Sequence, residues 1–354
     1  MDKALISGSG GLVGSEAVRQ FAALGYSVVG IDNDTRGRIF GRLASTADQQ
    51  KELAASLGKR YMPVGLDIRD RHGLNELFAH HGSTIKLVIH AAGQPSHDWA
   101  SQAPFADFDI NAGGTLNMLE ATRSHCPEAT FIFMSSNKVY GDTANRLPFF
   151  ERETRWEIED SHRYSAGIAE DMSIDGSLHS VFGVSKVSAD LMVQEFGRNF
   201  GIRTVCFRAG TITGPRHAAV ELHGFLAHLL RCAMRDDTYR VIGYGGKQVR
   251  DVIHVADLVS AFKLFADLPR VSAVYNIGGG RRSNCSVIEA MAMVSDLLGR
   301  PMKSVYEAKA RTGDHQWWIS DTERFRIDYP GWCPGYDVVG SLSEMLRMNR
   351  ASWK

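Results

Sequence analysis

The chain has 354 residues, with 40 Lys+Arg balanced by 40 Asp+Glu and 44% hydrophobic residues. That composition excludes a disulfide-dense mini-fold or a disordered tail, and the length is enough for two domains or one large α/β domain with an added lobe. Zero formal charge without a Lys/Arg block leaves no electrostatic footprint for nucleic acid or an anionic membrane.

The opening MDKALISGSGGLVGSE lacks an apolar segment behind a charged one. No run approaches the ~18 to 20 apolar residues of a spanning helix, so a cytoplasmic location is expected. Cys126, Cys206, Cys232, Cys285 and Cys333 are odd in number and widely spread, as expected of free thiols in a reducing compartment. None falls in a metal-ligand spacing, so no metal is expected.

In chain order, short apolar runs at Lys3 to Ser7, Tyr26 to Asp32, Tyr61 to Asp67, Leu87 to Ala92 and Thr130 to Ser135 alternate with helical stretches. Two of these are Ser15 to Leu24 and Gly113 to His125. The alternation predicts an α/β fold, a Rossmann-type doubly wound parallel sheet. From 141 to 180 the pattern gives way to a polar, aromatic-bearing stretch expected to be an active-site or lid loop. Periodicity returns with a helix over 182–199 and a strand at Thr204 to Arg208. The expected domains are a dinucleotide-binding domain over 1–210, with 250–277 crossing back to it, and a smaller interleaved C-terminal substrate lobe over 211–249 and 278–354.

Gly8, Gly11 and Gly14 sit between the first strand and the first helix, and with Leu12 and Val13 they form a loop suited to a diphosphate. Glycine permits the tight turn and lets phosphate approach the backbone N–H groups at the helix start. Asp32, 18 residues beyond Gly14, closes the second strand beside Asn33, where a carboxylate meets the adenosine ribose. An acid there favours NAD over NADP, although Arg36 and Arg38 follow closely. Asp67 and Ile68, expected at the end of the third strand, and Ala91, Ala92 and Gly93, at the end of the fourth, lie where ligands collect on a parallel sheet.

HAAGQ (90–94), NAGGTLNMLEA (111–121), SSNKVYGD (135–142), FGVSK (182–186) and KQVRDVIHVADL (247–258) occur in an order that resembles the extended short-chain dehydrogenase/reductases acting on nucleotide sugars. The likeness runs over nearly the full length. Within that family the SNKVYGD and KQVRD wording is most similar to members that invert carbon 2 of a CDP-linked deoxyhexose by transient oxidation and hydride return. The resemblance implies that Asn111 supports the active-site helix and that Ser136 hydrogen-bonds the sugar. It also implies that Gln94, Asn137, His223, Arg250, Arg311 and Asp314 line the nucleotide-sugar site, and that two helices build a homodimer or a dimer of dimers. Trp317 and Trp318 are candidates to stack on a base, but two adjacent side chains seldom share one face, and core packing is the expected role of at least one.

Two departures from the family pattern stand out. The 4,6-dehydratases carry Asp and Glu after the Ser/Thr, whereas this chain has Asn137 and Lys138, which cannot perform carboxyl chemistry. The family's Tyr-x-x-x-Lys pair is here Phe182 and Lys186, so the usual phenolic base is absent while the lysine, able to reach the nicotinamide ribose, remains. Three explanations stay open. His179, Tyr164, Asp175 or Lys138 supplies the base; Ser136 works through substrate or water; or the chain is a catalytically silent binder of NAD and nucleotide sugar. An unusual dehydratase and a 4-epimerase are the alternative enzymes.

Overall fold

The computed structural model describes residues 1–221, 224–310 and 313–353. The chain divides into two compact units. The first comprises 1–139, 181–208 and 259–275, and the second 140–180, 209–258 and 276–354.

The first unit is built on strands β1 (Lys3–Ser7), β2 (Ser27–Ile31), β3 (Tyr61–Val64), β4 (Ile85–His90) and β5 (Thr130–Ser136), with helix α1 (Leu12–Ala23) directly after the first glycine loop. A seven-stranded sheet runs in the order Ala273–Ile277, Thr204–Ala209, β5, β4, β1, β2, β3. The pairings β1 with β2, β1 with β4, β2 with β3 and β4 with β5 are all parallel. Strand order reverses between β1 and β4, which opens a crevice at their carboxyl ends where such sheets take ligands.

Helices cover both faces of the sheet, so its strands are apolar almost throughout rather than alternating. Leu5, Val29, Val88, Phe131 and Cys206 share one buried cluster with Met118 and Leu119 of helix Gly114–His125 and Val193 of helix Val181–Phe200. At ~25 cal/mol per Å2 of buried apolar surface, such a cluster is the main stabilising term.

β3 ends at Val64, three residues short of the expected Asp67. Leu66 N–H bonds back to Val64 O and Asp70 N–H to Asp67 O, so the chain is already turning where Asp67 stands. The helix that follows is capped by Asp70, whose carboxylate accepts from Gly73 N.

The second unit has its own core, in which Leu226, Leu229 and Leu230 of helix Phe225–Arg235 pack with Ala290, Val294 and Leu342. Segment 140–180, expected in the dinucleotide domain, belongs to this unit and forms a hairpin of Phe149–Glu151 with Trp156–Ile158. Tertiary hydrogen bonds hold it there: Trp156 N–H to Lys247 O (2.9 Å), Ile168 N–H to Ile319 O (2.7 Å) and Ser286 Oγ–H to Thr154 O (2.7 Å). Residues 250–258, expected to cross back, also lie in this unit, because strand Val249–His254 pairs with Thr211–Thr213 and Asn284–Ser286.

Trp317 and Trp318 are fully buried. Trp317 donates its indole N–H to Glu157 (2.9 Å), and Trp318 lies between Tyr140 and His315. Both are core residues and cannot stack on a base. All five cysteines are free. Among the described residues no helix is long and apolar enough to cross a membrane.

Candidate active site

In the first unit Gly8 N–H bonds to Ile31 O (2.8 Å) and Gly11 N–H to Gly8 O (2.9 Å), folding the loop tightly over the ends of β1 and β2. Gly8 has φ +70°, and a Cβ on Gly14 would stand 2.0 Å from Gly8 O. Only glycine lets helix and loop approach this closely. Helix α1 starts at Leu12 and Val13 behind Gly11, which provides no side-chain cap, so its first N–H groups face outward. Such a glycine turn before an uncapped helix start suits a diphosphate.

Asp32 is oriented by Gly10 N–H (2.9 Å), Asp34 N–H (2.9 Å) and Thr46 Oγ1–H (2.9 Å). Asn33 donates to Asp67 Oδ2 (2.9 Å), and Arg69 also pairs with Asp67 (2.7 Å), holding that carboxyl below its ordinary range. Arg38 bonds Asn33 O and Thr35 Oγ1. Ile68 is buried against Gly114. A partly exposed carboxylate, an uncapped helix start and a glycine cradle together fit NAD.

Behind the cradle, His90 is fully buried, with Nδ1 2.6 Å from Ser7 Oγ and Nε2 2.9 Å from Thr115 Oγ1. Thr115 donates to Asn111 O, so its oxygen accepts from Nε2–H, and Nδ1 accepts from Ser7. Burial pushes this imidazole down to about 3, so it is a neutral strut joining β1, β4 and helix Gly114–His125. Ala91 N–H and Ala92 N–H bond to Ser7, shaping the strand end that leads into Gly93.

Asn111 lies in a π-helical turn, Asp109–Gly113, a geometry frequent at functional sites. Its amide nitrogen lies 3.0 Å from Ser185 Oγ and 3.1 Å from Asp107 Oδ1, and its oxygen accepts from Gln94 N–H (2.9 Å). Gln94, expected at the sugar, is buried and donates to Ser96 O (2.8 Å) and Asp107 Oδ1 (2.7 Å). It braces the loop instead of presenting its amide.

Ser136 ends β5. Its Oγ accepts from Lys138 N–H (3.2 Å) and lies 3.5 Å from Oδ1 of buried Asn137. Phe182 and Lys186 stand one turn apart on helix Val181–Phe200. Lys186 Nζ donates to Met134 O (2.8 Å) and sits over the Phe133 ring (4.6 Å to its centre). A Cβ on Gly93 would meet Nζ at 3.9 Å and Asn111 Oδ1 at 3.0 Å, so the end of β4 comes close to this lysine. Burial lowers Lys186 to about 8, opposed by Asp190 and Asp107. Phe182 is buried too, and its ring contacts that of His97, 4.7 Å between centres.

Tyr164, His179 and Asp175 belong to the second unit. Tyr164 Oη–H donates to Asp171 (3.2 Å), and burial raises the phenol. His179 Nε2 lies 2.9 Å from both Ser177 Oγ and Ile174 O, and Asp175 is exposed. Arg250 pairs with Asp314 (2.5 Å) beside a cleft of about 130 Å3, which Phe225, Tyr239, Arg240 and Gln248 also line. The next residue, Asp251, is fully buried and pushed up to about 6 by burial, although it accepts from Ser320 N–H. His223 and Arg311 lie outside the described residues. Among the described residues no group of three or more His, Cys, Asp or Glu side chains is disposed to hold a metal ion.

Sequence reasoning passed over three features: His97 against Phe182, the Ser7–His90–Thr115 strut, and a buried ion pair of Arg208 with Asp190. Only the last leaves a sequence signal, since an arginine within the buried run TVCFRA requires an anionic partner.

The fold and the first-unit site define a Rossmann-type dinucleotide-dependent protein with an altered short-chain dehydrogenase/reductase centre. Residues 4–278 match the model of the NAD dependent epimerase/dehydratase family, and the chain belongs to that family. It is 30% identical to the CDP-paratose 2-epimerase of Salmonella typhi, over 97% of this chain and 98% of the relative. It is 29% identical to the UDP-glucose 4-epimerase of Yersinia pestis, over 96% and 94%. The crystal structure of the UDP-glucose 4-epimerase of Thermotoga maritima with UDP-glucose shares the fold, with a TM-score of 0.78 at 24% identity, covering 99% of this chain and 100% of that one.

Proposed function

We propose that this chain is an NAD-dependent nucleotide-sugar epimerase that inverts carbon 2 of a CDP-linked deoxyhexose. The observation that carries the choice of epimerisation over 4,6-dehydration is Asn137 with Lys138 directly after Ser136. An amide and an ammonium group offer no carboxyl acid and base for water elimination. The CDP-sugar and carbon 2 rest on the likeness to the Salmonella typhi enzyme.

When bound, NAD supplies reversible oxidation of the sugar carbinol. The Gly8–Gly14 loop holds the diphosphate on the N–H groups of α1, and Asp32, with Asn33, takes the adenosine ribose hydroxyls. Asp67, Ile68 and Ala91 to Gly93 border the cofactor. Lys186 donates toward the nicotinamide ribose and sets a positive potential beside it. Ser136 hydrogen-bonds the reacting sugar hydroxyl, with Asn137 next to it. Arg250 and Asp314, with His223 and Arg311, receive the nucleotide diphosphate and ribose; a guanidinium suits the fork of a diphosphate. The enzyme works in the cytoplasm as a homodimer through helices Gly114–His125 and Val181–Phe200, where Leu116, Val184 and Leu191 are exposed.

A second reading is favoured by Phe182, a side chain that cannot ionise: a silent binder of NAD and nucleotide sugar. Incubation with CDP-, UDP-, GDP- and dTDP-sugars in deuterated water, followed by mass spectrometry and NMR, separates the readings. An epimer free of solvent deuterium supports the epimerase. Loss of water from the sugar points to a dehydratase, and binding without turnover across the panel to the silent protein.

A further inference from the structure

We infer that Asp34 and Thr46 are positioning residues for the cofactor, a latch that fixes the carboxylate of Asp32 so that one of its oxygens meets a hydroxyl of the adenosine ribose. The inference rests on the assignment of Asp32 to that ribose made above. Neither latch residue belongs to the glycine spacing or is the acid that closes the second strand, and both act through Asp32 rather than on the cofactor itself.

Asp34 stands in the left-handed region, at φ +53° and ψ +32°, which an aspartate tolerates because its short side chain bonds locally. Its carboxylate caps helix Thr35–Phe40 by accepting from Gly37 N–H (3.2 Å). The same group reaches across to the next segment, where Oδ2 accepts from Ser45 Oγ–H (2.7 Å) and Oδ1 from Thr46 N–H (2.8 Å). Burial opposes the charge on Asp34, yet the bonds from Ser45, Thr46 and Gly37 hold it below its ordinary range. An ionised carboxylate thus ties Ser45 and Thr46 to the end of the second strand.

Thr46 immediately precedes helix Ala47–Leu57 but makes no side-chain cap to it. A threonine in that place ordinarily bonds an N–H of the following turn. Here the buried hydroxyl lies 2.9 Å from Asp32 Oδ1 and 3.2 Å from Asp34 Oδ1, with Gln50 Nε2 donating to it at 3.4 Å. Its one proton therefore points to the carboxylates. Thr46 also presses on the glycine loop, since a Cβ on Gly10 would meet Thr46 Cβ at 2.7 Å and Thr46 O at 2.9 Å. With Thr46 in place, Asp32 Oδ1 takes two donors, Thr46 Oγ1–H and Asp34 N–H, and Oδ2 takes one, Gly10 N–H. A carboxylate offers about four lone-pair sites. Among the described residues the remaining one is on Oδ2, and a ribose hydroxyl can donate to it. The 2′-phosphate of NADP brings negative charge to the same oxygen, so the latch favours NAD.

The test compares holoenzyme carrying Thr46→Val, Thr46→Ser, Asp34→Gly or Asp32→Ala with the wild type. Valine keeps the shape of threonine without its hydroxyl, serine keeps the hydroxyl, and glycine accepts the left-handed backbone at position 34 without strain. Bound NAD is exchanged against isotope-labelled NAD to give its rate of release, and the labelled enzyme is titrated with NADP to give the ratio of the two affinities. Loss of a hydrogen bond to a charged group corresponds to roughly tenfold. Thr46→Val and Asp34→Gly should release NAD faster by about that factor, and Thr46→Ser should stay within about threefold of wild type. The affinity ratio should move toward NADP in the two impaired variants, because NADP gains nothing from a well-aimed Asp32; general loosening of the fold would weaken both dinucleotides alike. Release from Thr46→Val or Asp34→Gly within about threefold of wild type, failure of serine to substitute for threonine, or an unmoved ratio overturns the latch. If Asp32→Ala releases NAD rapidly in that case, the ribose assignment stands without the latch. If Asp32→Ala also releases NAD at the wild-type rate, the ribose assignment falls with it.

Discussion

Arg208 grips Asp190 through two parallel contacts, Nη2 to Oδ1 at 2.7 Å and Nε to Oδ2 at 3.1 Å, both side chains buried in the first unit. The same carboxylate accepts from Ser135 (2.5 Å) on β5 and from Gln194 (2.7 Å). Strand Thr204–Ala209, β5 and the helix that carries Lys186 are thereby locked together just behind the candidate site.

Removing one partner of a buried pair leaves the other charge unsolvated, at a cost of about 3–5 kcal/mol. Arg208→Met should therefore lower the urea midpoint strongly. Arg208→Met combined with Asp190→Leu should recover much of the loss, because neither charge remains. Equal destabilisation in the single and the double variant would contradict this account of the pair.

Lys186 gives a pH signature. Its folded value, about 8, lies below the 10.5 of an exposed lysine, so between these values the unfolded chain binds more protons than the folded one. This group's burial penalty is complete below pH 8, and its contribution to stability rises with pH through that window, by at most roughly 3 kcal/mol. Stability of the wild type minus that of Lys186→Met should climb from about pH 8 toward 10.5. Asp190 favours the charged form, so loss of that carboxylate should move the climb to lower pH. A flat difference curve would place the ammonium in water.

Gly14→Ala tests the cofactor cradle. The added methyl would meet Gly8 O at 2.0 Å, so the loop must open by more than an ångström. Overpacking of this kind costs about 1–3 kcal/mol. The purified variant should retain much less NAD, measured by acid release and enzymatic assay, and NAD should raise its Tm less than that of the wild type. Full retention would mean that the diphosphate does not sit on this loop.

The legible parts of this protein were those written in local pattern. Lys3–Ser7 followed by Gly8, Gly11 and Gly14, with Asp32 at the end of the next apolar run, announces a strand, a glycine turn and a helix, because period and turn chemistry act over a few residues. The sequence pattern overextends the third strand because Leu66 and Ile68 continue the apolar run, while the backbone turns after Val64 and Asp67 bonds Asn33 and Arg69. Segment 140–180 is polar enough to pass for a lid, yet beside its local turns and hairpin it makes backbone hydrogen bonds to residues more than eighty positions away, from Trp156 to Lys247 and from Ile168 to Ile319.

Side-chain direction was the least legible property. Gln94 and the Trp317–Trp318 pair are candidates for ligand contact by residue type, and the structure buries all three, the glutamine bonded to buried polar groups and the indoles held by Glu157, Tyr140 and His315. The sequence by itself determined the parallel α/β sheet, the glycine cradle with its acid, and the absence of a phenol one turn before Lys186, since each is a matter of residue type at short spacing. Tertiary structure alone decided which ring stands against Phe182 and which carboxylate faces Arg208. Such contacts join segments tens of residues apart, and they are selected by packing and by the cost of an unpaired buried charge, which no local pattern records.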